Sequence, residues 1–179
     1  MNLEISVEYD PWSRCDVQSI TDECVLAVFG ELKLNHYNVE ICFLFTDDEE
    51  LQILNKIYRG IDKPTNVLAF PADSIDNIKG DHPKYYEDDY SDNGDVSDEK
   101  NENIYCCNIC ILGSVALAYD TVERESIEQR KTFEDHLRHL VIHAVLHLLG
   151  YDHGDSSRAE QMEDLEIRIL SHLKIANPY

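Results

Sequence analysis

Two hydrophobic rhythms divide this chain. Leu3, Ile5 and Val7 stand at every second position, the period of a strand with one buried face. Val39-Glu-Ile-Cys-Phe-Leu-Phe45 reads as a second strand, and Thr65–Pro71 as a short third that proline stops. Between these strands the period lengthens. After Asp10-Pro11, which suits a first helical turn, Ile20, Cys24, Ala27 and Val28 fall near helical spacing. Thr46 or Asp47 can cap another helix, whose Asp48, Glu49 and Glu50 suit its positive end and whose Leu51, Leu54 and Tyr58 share a side. The apolar run from Ile104 to Ala118 contains Gly113 and is long enough for two strands or one kinked strand. Three helical patterns then close the chain. A polar one spans Tyr119 to Gln129, and one from Thr132 or Phe133 carries Phe133, Leu137, Leu140, Val141, Ala144 and Leu148. The last, capped by Asp155 or Ser156, carries Ala159, Met162, Leu165, Ile169 and Leu173. Strands early and in the middle, with helices at the end, predict an α+β fold: a small mixed sheet of about four strands packed with about five helices.

A chain of 179 residues with 43% hydrophobic content makes one domain, 1–179. The segment 72–103 departs from both rhythms. It holds eleven acids against three lysines, a net −8 of the total −21, and few aliphatic residues, so it is expected to be a mobile acidic surface insertion. The overall charge excludes a general nucleic-acid binder, DNA included, yet leaves room for a local basic groove. Lys56, Arg59 and Lys63 form one basic stretch and Arg124, Arg130, Lys131 and Arg138 another, which together would make a cationic face if they met. The amino terminus lacks a basic region followed by an apolar one, and no eighteen apolar residues run together, so a cytoplasmic chain without membrane contact is expected. Six cysteines in such a chain read as reduced thiols. Cys107 and Cys110 form a CxxC, but inside a strand they would point to opposite faces.

The chemistry gathers in His143-Ala-Val-Leu-His147-Leu-Leu-Gly150-Tyr-Asp-His153. Two histidines four apart on a helix leave one face about 6 Å apart along the axis. Gly150 can end that helix in the left-handed conformation, after which His153 can fold back to supply a third nitrogen. Three protein ligands leave a fourth position free, the pattern of a catalytic zinc on a helix and the turn after it. The offsets match the metzincin protease signature H-E-x-x-H-x-x-G-x-x-H, except that Ala144 stands where the glutamate general base belongs. Three neutral imidazoles keep the full charge of a metal available, which favours a phosphodiester over a peptide as substrate. His139, one turn before His143, is placed to orient a ligand, touch substrate or simply pack; His136 reads as a surface residue near the helix start. Arg59 can offer a fork to phosphate, and Asp152 can bond a ligand histidine or cap the turn.

Three motifs make the chain resemble the YbeY-type endoribonuclease and rRNA maturation factor family. They are His139-Leu-x-x-His143-x-x-Leu-His147-Leu-Leu-Gly-Tyr-Asp-His153, then Leu54-Asn-x-x-Tyr-Arg59 with Lys63-Pro-Thr-x-Val-Leu-x-Phe-Pro71, and Ala159-Glu-x-Met162-Glu-x-Leu-Glu166. The resemblance covers nearly the whole chain apart from the insertion. It implies an endoribonuclease specific for single strands, with one zinc ion per chain, acting in 16S rRNA 3′-end maturation and ribosome quality control. His143, His147 and His153 would be the zinc ligands and Arg59 a residue needed for activity. Its partners would be single-stranded RNA and the small ribosomal subunit or its proteins. Four positions depart from the family's usual residues: Asn66 for aspartate, Ala69 for serine, Ser114 for aspartate and Ala144 for glycine. The insertion is longer than in the family and, being acidic, is expected to lie away from the cleft. Two other readings stand beside this one: a metzincin-like metallohydrolase acting on peptides, and a non-catalytic ribosome assembly factor with a structural zinc.

Overall fold

A computed structural model of the chain describes residues 1–34, 38–72 and 110–179. The acidic insertion, beyond Ala72, and Cys107 lie outside the described residues. Four strands form one mixed sheet in the order β1-β2-β4-β3: β1 (Asn2–Val7), β2 (Val39–Thr46), β3 (Val67–Pro71) and β4 (Cys110–Ala118). β1, β2 and β4 run parallel, while β3 pairs with β4 antiparallel and makes one edge. Among the described residues five helices accompany them: α1 (Val17–Glu31), α2 (Asp48–Arg59), α3 (Tyr119–Glu128), α4 (Phe133–Leu148) and α5 (Ser156–His172). The α+β architecture expected from the two rhythms is the one observed.

Alternation along β2 explains the layering. Val39, Ile41, Phe43 and Phe45 point into the main core with α1, α4 and α5, whereas Leu44 faces a smaller cluster of Leu51, Leu68, Ala116 and Ala118 under α2. Helices α2, which ends at Arg59, and α4, which carries His143 and His147, therefore pack on opposite faces of the sheet, with the edge strand β3 between them. The run ending at Ala118 resolves, over its described part, into one kinked strand. Between Glu40 and Ile41 the register with β4 skips Leu112, and Gly113 takes φ +138. A Cβ at Gly113 would sit 2.1 Å from the carbonyl oxygen of Phe70, so the backbones of β3 and β4 approach this closely only at glycine.

The start of α1 differs from expectation. Asp10–Arg14 forms a short 3₁₀ turn, and α1 begins at Val17 under the cap of Asp16, whose side chain accepts the Ser19 N–H. Trp12 explains the break: it is fully buried, and a turn there drives its indole into the core against Phe45, Tyr119 and Phe133. Cys15, Cys24 and Cys42 are free thiols. Among the described residues no helix is long and apolar enough to cross a membrane.

Candidate metal centre

Thr132 caps α4 by accepting the Asp135 N–H, and the apolar stripe of the helix seats it in the main core. That seating turns His139 and His143 toward a cleft, with His147 one turn beyond His143. Just beyond the helix, Gly150 takes φ +88 and the Tyr151 N–H bonds back to the Leu146 carbonyl, so the chain reverses and returns His153 to the other two ligand candidates. One nitrogen from each of His143, His147 and His153 lies within 4.8 Å of the others.

Hydrogen bonds at the far side of the rings fix their tautomers. His147 donates from Nδ1 to the Tyr151 carbonyl at 2.9 Å, and His143 donates from Nδ1 to Glu166 at 2.7 Å. Both Nε2 atoms are then lone-pair acceptors, yet they face each other at 3.1 Å. Two lone pairs so close repel unless a cation lies between them. Tetrahedral zinc, with Zn–N near 2.0–2.1 Å, spaces neighbouring nitrogens at about 3.3 Å, so these side chains fit a metal of that kind. Burial, together with the neighbouring His143, lowers the pKa of His147 and keeps its imidazole neutral for ligation. His153 is the exposed member, and its N–H and ring both turn to Asp152, at 2.7 and 3.3 Å.

Glu166 of α5 organises this wall of the cleft. Its side chain is wholly buried and accepts from His139 at 2.8 Å, from His143 and from the Tyr179 hydroxyl. Burial would raise its pKa, but the bonds from His139, His143 and Tyr179 outweigh that and bring it to about 2. Burial and the same carboxylate push the Tyr179 hydroxyl the other way, so it remains a donor. A carboxylate behind a ligand histidine orients the ring and makes it more basic. His139 thus belongs to the orienting network, one of the three roles open to it in the sequence.

His136 overturns its expected surface place. It is 2% exposed, with Nε2 3.1 Å from Glu125 of α3, because α3 turns back across the first turn of α4. Glu125, Glu166 and Tyr179 all line the cleft, of about 780 Å³, together with His139, His143 and His153. Arg59 does not. It ends α2 on the other side of β3, exposed to solvent, and the described structure brings it to none of the three histidines. Three of the seven clustered cations are already paired with carboxylates: Lys56 with Asp62, Arg124 with Asp48, and Arg138 with Glu23 and Glu134.

A family model described as Endoribonuclease YbeY matches residues 4–174. The chain belongs to the YbeY endoribonuclease family. Two YbeY relatives named Endoribonuclease YbeY are similar along its length. One from a Bradyrhizobium species is 37% identical, covering 98% of this chain and 90% of the relative. Another, from Bradyrhizobium diazoefficiens, is 37% identical over 98% of this chain and 84% of the relative. The solution structure of a Thermotoga maritima protein shares the fold, with a TM-score of 0.53 at 20% identity over 96% of this chain and 91% of that one. His143, His147 and His153 all lie within the matched residues.

Proposed function

We propose that this chain is a metal-dependent endoribonuclease that cuts single-stranded RNA, with zinc held by His143, His147 and His153. The supporting observation is the all-imidazole ligand set backed by one buried carboxylate. Neutral ligands leave the ion's charge undiminished, and bound zinc supplies that Lewis-acid charge at a scissile phosphate. His143 is held in one tautomer by Glu166 and His147 by the Tyr151 carbonyl, so neither ring has to reorganise to bind. The peptidase reading loses its base as well as its glutamate position, since Ala144 is 1% exposed and a carboxylate there would be buried among apolar side chains. Family membership points to rRNA processing, and within it we assign 16S 3′-end maturation and ribosome quality control, with the small subunit or its proteins as partner.

Arg59 takes phosphate in this reading from across the edge strand β3, so bound RNA passes over that edge between the two faces of the sheet. Arg59→Ala should retain the native metal content and cut single-stranded RNA at least roughly a hundredfold more slowly, the scale of losing one charged contact to a reacting group. Metal analysis and a cleavage time course on the same samples test this. Undiminished cleavage by the variant would remove Arg59 from the site. Analysis of product ends completes the test: 2′,3′-cyclic phosphates would make the RNA's own 2′-hydroxyl the nucleophile.

A further inference from the structure

Away from the three ligand histidines, the cleft holds a second carboxylate with fixed partners. Oε2 of Glu125 lies 3.1 Å from Nε2 of His136 and accepts the side-chain amide of Asn66 at 2.8 Å. Each partner is itself locked. His136 is buried in the first turn of α4, and Asn66 uses its own Oδ1 to accept the Val67 N–H at 2.7 Å, which leaves its NH₂ to donate. A carboxylate accepts only, so His136 presents Nε2–H. The bond from His136, together with that from Asn66, holds the Glu125 pKa below the usual carboxylate range despite partial burial. Both partners use Oε2, and among the described residues Oε1 carries no hydrogen bond, while the side chain stays 26% exposed in the cleft wall.

A rigid anion is a poor neighbour for phosphate, so Glu125 cannot serve the RNA backbone. What it can accept is an N–H on the edge of an unstacked base, the groups by which single-stranded RNA is read. Guanine presents N1–H and an N2 amino group side by side, and both donors can converge on Oε1, whose lone pairs are unused. Adenine and cytosine place an acceptor nitrogen beside their amino group, and uracil flanks one N–H with two carbonyls, so each would set an acceptor against the anion. His136 and His143 are two turns of α4 apart, roughly 10 Å, which separates a neighbouring nucleotide from the metal end of the cleft. Resting on the nuclease reading above, we infer that Glu125, held by His136 and Asn66, is a recognition site for a guanine base beside the cleaved phosphodiester. Asn66, one of the four departures from the family's usual residues, belongs to this device. An aspartate there would offer no donor and would set a second carboxylate against Glu125.

The test compares metal-loaded native protein and Glu125→Gln on single-stranded RNA carrying one guanine, or inosine in its place, which lacks the N2 amino group. Native protein should cut beside guanine roughly tenfold or more faster than beside inosine, the cost of one hydrogen bond to a charged acceptor. Glu125→Gln should cut both at similar rates. Titration of native protein with GMP and IMP should show the same preference without any cleavage. Equal rates on guanine and inosine for the native protein would overturn the inference, even if the variant does not fold. So would a preference that survives in Glu125→Gln. The two readings fail separately: base preference dependent on Glu125 without RNA cutting sinks the nuclease, and cutting without preference sinks the guanine site.

Discussion

Glu166→Gln is expected to weaken metal binding by roughly 10- to 100-fold, the range found when the residue orienting a ligand histidine is lost. The native carboxylate accepts three donors, from His139, His143 and Tyr179, with no exposure to water. An amide keeps one acceptor oxygen and turns an NH₂ toward at least one of those donors. His143 then loses the partner that places its proton on Nδ1 and its lone pair toward the metal. Chelator competition measures the affinity directly, and an unchanged value would reduce Glu166 to a packing residue. Acid stability gives a second reading on metal-free protein. Its folded pKa, about 2, lies below the ordinary 4.5, so Glu166 contributes stability that is present above about 4.5 and lost as pH falls toward 2. Glu166→Gln should flatten that part of the stability profile.

Trp12→Ala should cost about 3–5 kcal/mol of stability, as large-to-small changes at well-packed aromatic sites do. Its indole N–H donates to the Thr46 carbonyl at 2.9 Å, and its rings lie 5.0, 5.1 and 5.8 Å from those of Phe45, Tyr119 and Phe133. One side chain thus joins the end of β2, the start of α3 and the first residue of α4. The loss removes a buried donor from a carbonyl as well as opening a cavity. Denaturant unfolding of the metal-free protein measures it, and a change below about 1 kcal/mol would mean that the site collapses around the gap or never bore the load.

How much of this was legible in the sequence follows from the distance each signal spans. Offsets of 0, 4 and 10 within α4 and its turn describe geometry directly, because helix pitch and one glycine fix where His143, His147 and His153 go. Glu166 lies 23 residues from His143, and no local period connects them. A trace existed nonetheless: Glu166 falls on the Met162, Leu165, Ile169 stripe of α5, where a charged residue has to find a partner. His136 carried a similar trace, standing four before Leu140 on the inward side of α4, and its surface assignment failed because α3 supplies the partner. The break at Trp12 was hidden for another reason. Proline at a first turn fits a 3₁₀ turn as well as an α-helix, and only the core waiting for the indole decides between them. Residue type and motif single out Arg59, but its place across β3 from the histidines depends on which face α2 covers, which no spacing reports.

In the proposed nuclease, three imidazoles hold the metal on which RNA cleavage depends. This dependence is tested most directly by measuring bound metal and single-stranded RNA cleavage side by side in native protein and in His143→Ala. Native protein should carry one zinc ion per chain and cut; the variant should lose both together. Cleavage by metal-depleted His143→Ala at the native rate would mean that the reaction needs no metal held by these histidines.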